Sequence, residues 1–180
     1  MQKTFAFAYH PAFDELPPNT RLQPYFDWWR SIVAREGRPS RKSVGFADLR
    51  GWHSRLTLCR VLADRSDMVV HIVGEEVKDL YNSHGAGGGV LIARGTHMRD
   101  LIEVTKEAQR RHLAQILDGP SIAITHGRLR LINGRDMEVF AIDFPLAPLG
   151  NEEEPHILTL YDFDLDPLER GLPNDGWQTI

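Results

Sequence analysis

Thr96–Leu117, THMRDLIEVTKEAQRRHLAQIL, is the stretch whose reading decides the fold. At about 100° per residue, Met98, Leu101, Ile102, Leu113 and Ile116 share one helical face. Thr105, Gln109 and His112 fall inside that apolar stripe, while Glu103, Lys106, Glu107, Arg110 and Arg111 fall outside it. Thr96 fits the N-cap and Gly119-Pro120 supplies a stop, so the pattern predicts one long amphipathic helix. Polar groups on a buried face need partners. Thr105, Gln109 and His112 are therefore candidates for the polar lining of a ligand space between this helix and whatever it covers.

Working outward, His53–Leu62 and Asp67–Val73 are rich in Leu, Val, Ile and Thr and are separated by Asp64, Arg65 and Ser66, which predicts two hairpin strands. Gly74–Tyr81 reads as a short helix, and the glycines of Asn82–Gly89 as a flexible rim. That rim follows a helix and lacks the Gly-Lys-Ser/Thr ending, which argues against a phosphate loop. On the other side, Ile122–Ile132, Arg135–Leu146 and His156–Phe163 read as three strands. Asn133-Gly134 between the first two signals a tight hairpin. A parity change around Gly127 predicts a bulge. In the second of these strands Phe140, Ile142 and Phe144 are expected to face the core, and Phe140 and Ile142 join the candidate ligand lining.

The expected organisation is an extended arm over residues 1–21, a flanking helix and connector over 22–52, a core over 53–163 and a loose acidic tail over 164–180. Leu22–Glu36 places Leu22, Tyr25, Phe26, Trp29, Ile32 and Val33 at three- and four-residue spacing, with Pro24 in the first turn and Gly37 and Pro39 beyond the end. So much aromatic surface needs a cover, either the sheet or a second subunit. Tyr25, Phe26, Trp29, Ile32 and Val33 are accordingly the candidate homodimer or partner interface.

The 180 residues, 42% of them hydrophobic, suit a single domain with a filled core. A net charge of -4 argues against nucleic-acid binding by counterion release. Charge is uneven: nine Lys or Arg face three acids from Trp28 to Arg65, and twelve acids face four bases from Asp118 onward. A solvated surface accounts for both. Cys59, the single cysteine, reads as a buried structural thiol in a reducing compartment. No run approaches the roughly 18 apolar residues of a membrane span, and the expectation is a soluble, cytoplasmic protein without membrane contact.

The eight histidines are scattered singly, without the paired spacings of zinc sites, so no metal ligands are assigned. No catalytic residues are assigned either, because no nucleophile elbow or supported Cys-His pattern is visible. Two minority roles for His112 stay open: a general base in a small-molecule enzyme, and a haem ligand.

Several strings then carry a family resemblance. They are Phe26-Asp27-Trp28-Trp29, Gly37-Arg38-Pro39-Ser40-Arg41, Asp48-Leu49-Arg50, Ile72-Val73-Gly74, Leu80-Tyr81 and Asp143-Phe144-Pro145-Leu146. In this order and spacing, over residues 22–163, the chain resembles PAS-type sensor domains, in particular short single-domain bacterial PAS proteins. The resemblance implies an α+β fold with a five-stranded antiparallel sheet in order 2-1-5-4-3, helices covering one face, and an N-terminal flanking helix used in dimer contacts. It implies a non-enzymatic signalling protein that binds a small ligand or a signalling partner, with the cofactor unspecified. It also keeps His97 and His112 open as haem ligands. The Asn-Cys-Arg-Phe-Leu-Gln signature of flavin photosensors does not occur.

Overall fold

The computed structural model describes residues 4–11, 23–82, 89–102, 104–118, 121–130, 136–148, 154–163 and 178–179. In chain order these form β1 (Thr4–Pro11), α1 (Gln23–Glu36), β2 (Leu56–Val61), β3 (Met68–Val73), α2 (Glu75–Asn82), α3 (Met98–Leu101), α4 (Lys106–Asp118), β4 (Ser121–Arg130), β5 (Asp136–Leu146), β6 (His156–Phe163) and β7 (Gln178–Thr179). The class is α+β. The sheet is antiparallel and ordered β3-β2-β6-β5-β4-β1-β7. Its inner five strands, β3-β2-β6-β5-β4, run in the order expected.

The two outer strands correct the reading of the termini. The arm pairs along β4 from Thr4 opposite Arg128 to Pro11 opposite Ser121, and Gln178 and Thr179 pair with Phe7 and Ala6 in turn. Phe5, Phe7 and Tyr9 alternate with small or polar residues at the strand period, a signal obscured by the prolines around it. The remainder of the expected tail, the Asn133-Gly134 turn and most of the glycine rim lie outside the described residues.

Expectation and structure also part company at Gly127. The β4–β5 ladder runs without a register shift from Ala123 opposite Asp143 to Arg130 opposite Asp136. The irregularity instead falls in β2, between Leu58 and Cys59.

The long helix is broken. One turn, Met98–Leu101, ends at Ile102, which has extended dihedrals, and α4 starts at Lys106. Ile102, Val104 and Thr105 are β-branched and weak helix formers. Thr105 is better used as a cap, its Oγ1 accepting from the Ala108 N–H at 3.1 Å. That use leaves Thr105 exposed, so it leaves the candidate lining. Asp67, fully buried, ties α3 to the hairpin: its carboxylate meets His97 Nδ1 at 2.7 Å and accepts from the Met68 and Arg99 backbone N–H groups.

Helices cover both faces of the sheet, where one face was expected. The core around α2, α3 and α4 takes Cys59, Val70, Ala123, Val139, Ala141, Ile157 and Tyr161 from the strands. The core around α1 takes Leu56, Leu58, Ile122, Ile142, Phe144, Leu158 and Leu160. Strand alternation sends neighbouring residues to opposite layers. Helix α1 closes at Gly37, whose φ of 70° favours glycine and whose N–H donates to Val33 O at 2.7 Å.

The expected oligomer surface is therefore used differently. Tyr25, Phe26, Trp29, Ile32 and Val33 are all buried within their own chain, Trp29 to 1% exposure, with its ring 4.9 Å from that of Phe144. Truncating a buried Trp costs about 3–5 kcal/mol. Trp29→Ala is expected to lower unfolding stability by that amount in urea denaturation, with a loss that does not depend on protein concentration. A loss that disappears on dilution would return this face to an intersubunit role.

Candidate functional site

The site is built where α4 crosses the centre of the sheet. Thr57 in β2, Thr159 in β6, Asp143 in β5 and Ala123 in β4 lie opposite one another in register, forming a row across four strands. By strand parity the row faces α4, since Cys59, Tyr161, Ala141 and Ala123 belong to that core. His112 comes down from α4, its Nε2 3.1 Å from Asp143 Oδ2. The other carboxylate oxygen, Oδ1, accepts from Thr159 Oγ1 at 2.6 Å.

The chain His112–Asp143–Thr159 is enclosed, with its members 6%, 7% and 6% exposed. Apolar contacts are non-directional, whereas a hydrogen bond to a carboxylate fixes both distance and angle. This contact therefore constrains the rotation of α4 against the sheet. One turn earlier on α4, Gln109 is also buried, and its Nε2 finds no hydrogen-bond partner. Thr57 is buried in the same row, its hydroxyl beside Cys59 and Tyr161.

Beside this row, burial pushes the Cys59 thiol and the Tyr81 phenol each up to about 12, and raises Tyr161 well above its ordinary value. A hydrogen bond with Tyr161 opposes the effect on Tyr81, and the neighbouring Thr57 hydroxyl opposes it on Cys59 and Tyr161. A thiol so disfavoured as thiolate is a structural group, not a nucleophile.

The sequence candidates divide between the two layers. His112 and Gln109 are in the α4 layer, and Thr105 is on the outside of α4. Phe140 and Ile142 correct the remaining assignment. Ile142 belongs to the α1 core, and Phe140, of the same strand parity, stacks on the His126 ring at 4.3 Å. They point away from His112 and cannot line one space with it. His97 and His112 are each engaged by a buried carboxylate, Asp67 and Asp143. Among the described residues, no group of three or more His, Cys, Asp or Glu is arranged to hold a metal ion. No helix among them is long and apolar enough to cross a membrane.

Asp143 and Thr159 were missed as site residues. Their signal was one acid within the apolar run Phe140–Leu146 and a polar residue at the matching position of the next strand.

A second concave feature lies at one end of the sheet. It is a groove of about 640 Å³ between the C-terminal parts of α1 and α4 and the end of β5.

Comparison of the chain with protein-family models, with curated proteins and with solved structures returns no match.

The raised values of Cys59, Tyr81 and Tyr161 carry a signed consequence. The unfolded chain releases these protons near ~8.5 for a thiol and ~10 for a phenol, while the folded chain holds them. Stability is fully present below those values and is lost as pH rises toward about 12. Melting temperature is expected to fall across that window, and Tyr161→Phe to fall less steeply. Equal slopes for the variant and the parent would contradict the buried, protonated phenol.

Proposed function

We propose that this chain is a non-enzymatic, PAS-like regulatory domain in which the packing of α4 on the sheet reports the binding of a small polar ligand. The observation that carries the reading is the His112–Asp143–Thr159 chain, a directional contact between α4 and the sheet inside a largely apolar layer. Such a contact has discrete made and broken arrangements, which is what a two-state element requires. Gln109 Nε2 supports a polar ligand, since a buried polar group left unpaired costs about 1–3 kcal/mol. The strand order β3-β2-β6-β5-β4, with α2, α3 and α4 inserted between β3 and β4, supports the PAS-like assignment.

The signalling partner and the homodimer belong to the same proposal, but they need a surface other than the buried α1 side chains. A catalytic reading has one observation in its favour: His112 has a second titratable group, Asp143, beside it. Their side chains are only 7% and 9% exposed, which favours the regulatory role over contact with a substrate.

The test is amide hydrogen exchange on Asp143→Asn, which keeps the side-chain shape while weakening the contact with His112. The regulatory reading expects faster exchange in α4 and, across the sheet, in α1. Faster exchange confined to α4 would overturn it, because no signal would then cross the sheet.

A further inference from the structure

We infer that residues 89–102 form a strap that opens as a unit while the rest of the fold stays intact, uncovering the layer beneath α4, and that the carboxylate of Asp67 is its latch. The strap runs from Gly89, at a φ of 98°, across the outer edge of β3 and through α3 to the extended residue Ile102. Along that edge the Gly95 N–H donates to Val70 O at 2.8 Å, and Thr96 O accepts from the Val70 N–H at 2.9 Å. Cys59 stands opposite Val70 in the ladder, 1% exposed, in the same core as Ile92, Met98 and Leu101 of the strap.

Val90 and Leu91 are 37% and 65% exposed, so the apolar grip of the strap comes from Ile92, Met98 and Leu101. Two side chains supply a polar hold at its ends. Asn82 brackets Ile92, its Oδ1 accepting from the Ile92 N–H at 2.7 Å and its Nδ2 donating to the Ile92 carbonyl at 3.4 Å. Asp67 is fully buried, and its carboxylate meets His97 Nδ1 at 2.7 Å, Arg99 Nε at 3.4 Å and the Arg99 backbone N–H at 3.2 Å. Those three groups belong to the strap, and the Met68 N–H, at 2.8 Å, belongs to β3.

A carboxylate stripped of its cationic partners is costly to keep in a dry interior. Partial release is therefore disfavoured. Either His97 and Arg99 cover Asp67 together, or the strap lifts away and water solvates the charge. A short segment held by three apolar side chains and two polar ends belongs to the low end of local stability. The Thr57 hydroxyl, a member of the polar row, lies beside Cys59, so uncovering Cys59 leads to that row. Opening stands apart from the proposed regulatory role; only the use of the strap as a ligand's entrance rests on that role.

The test is labelling of Cys59, the single cysteine, by N-ethylmaleimide in the full chain at increasing urea, followed by mass spectrometry. Labelling is expected to go through the open strap, with a urea dependence much shallower than that of global unfolding. His97→Ala, at a side chain already 35% exposed, is expected to raise the rate at least about tenfold without steepening that dependence, as loss of a charge-assisted hydrogen bond implies. Ile124→Val, in the core on the other face of the sheet, is expected to lower global stability and leave the rate in water unchanged. A urea dependence equal to that of global unfolding, a rate unmoved by His97→Ala, or faster labelling of Ile124→Val in proportion to its lost stability would each overturn the strap. None of these outcomes touches the regulatory reading, whose own test is exchange in Asp143→Asn. If the strap opens but faster exchange in Asp143→Asn stays confined to α4, the strap stands and its role as an entrance falls.

Discussion

Where α4 meets the sheet, the ring of His112 faces the carboxylate of Asp143, and the carboxylate is held from its other side by Thr159. Around this chain the layer is built of Leu113, Ile116, Ala123, Ala141 and Ile157, whose contacts tolerate sliding and rotation. The hydrogen bonds do not tolerate it. A one-residue slip of β5 against β6 would turn Asp143 away from Thr159 and out to the other face. A rotation of α4 would take His112 off the carboxylate and leave a buried acceptor without its partner. Strand register and helix orientation are thus specified by the same few atoms.

The two cores meet this constraint from opposite sides. Strand β5 sends Val139, Ala141 and Asp143 toward α4, and Ile142, Phe144 and Leu146 toward α1. Moving β5 therefore disturbs both layers together. This shared strand gives a change beneath α4 a physical route to α1. The terminal strand β1 extends the sheet beyond β4.

Much of this was legible in the chain. The inner strands, their hairpin partners and helix α1 follow from period-two and period-3.6 patterns, and α1 carries five apolar positions that ended up buried. Periodicity was a poorer guide to the break between α3 and α4. The apolar stripe continues through Ile102, yet β-branched residues and the capping hydroxyl of Thr105 end one helix and start another. It also misdirected Phe140 and Ile142. Both faces of the central strands are buried, so being apolar does not tell which layer a side chain enters. The partner of His112 was hidden for a related reason. His112 and Asp143 are 31 residues apart, and only strand register and helix placement bring them together.

The most direct measurement of this account is a double-mutant cycle on His112→Leu and Asp143→Leu, followed by urea unfolding. Each single variant takes one hydrogen bond from a buried polar partner, so each is expected to cost about 1–3 kcal/mol, and the double variant to cost clearly less than the sum. Costs that add to within about 0.5 kcal/mol would mean the two side chains are energetically independent. The contact of His112 with Asp143 would then not hold α4 on the sheet, and the central claim would fail.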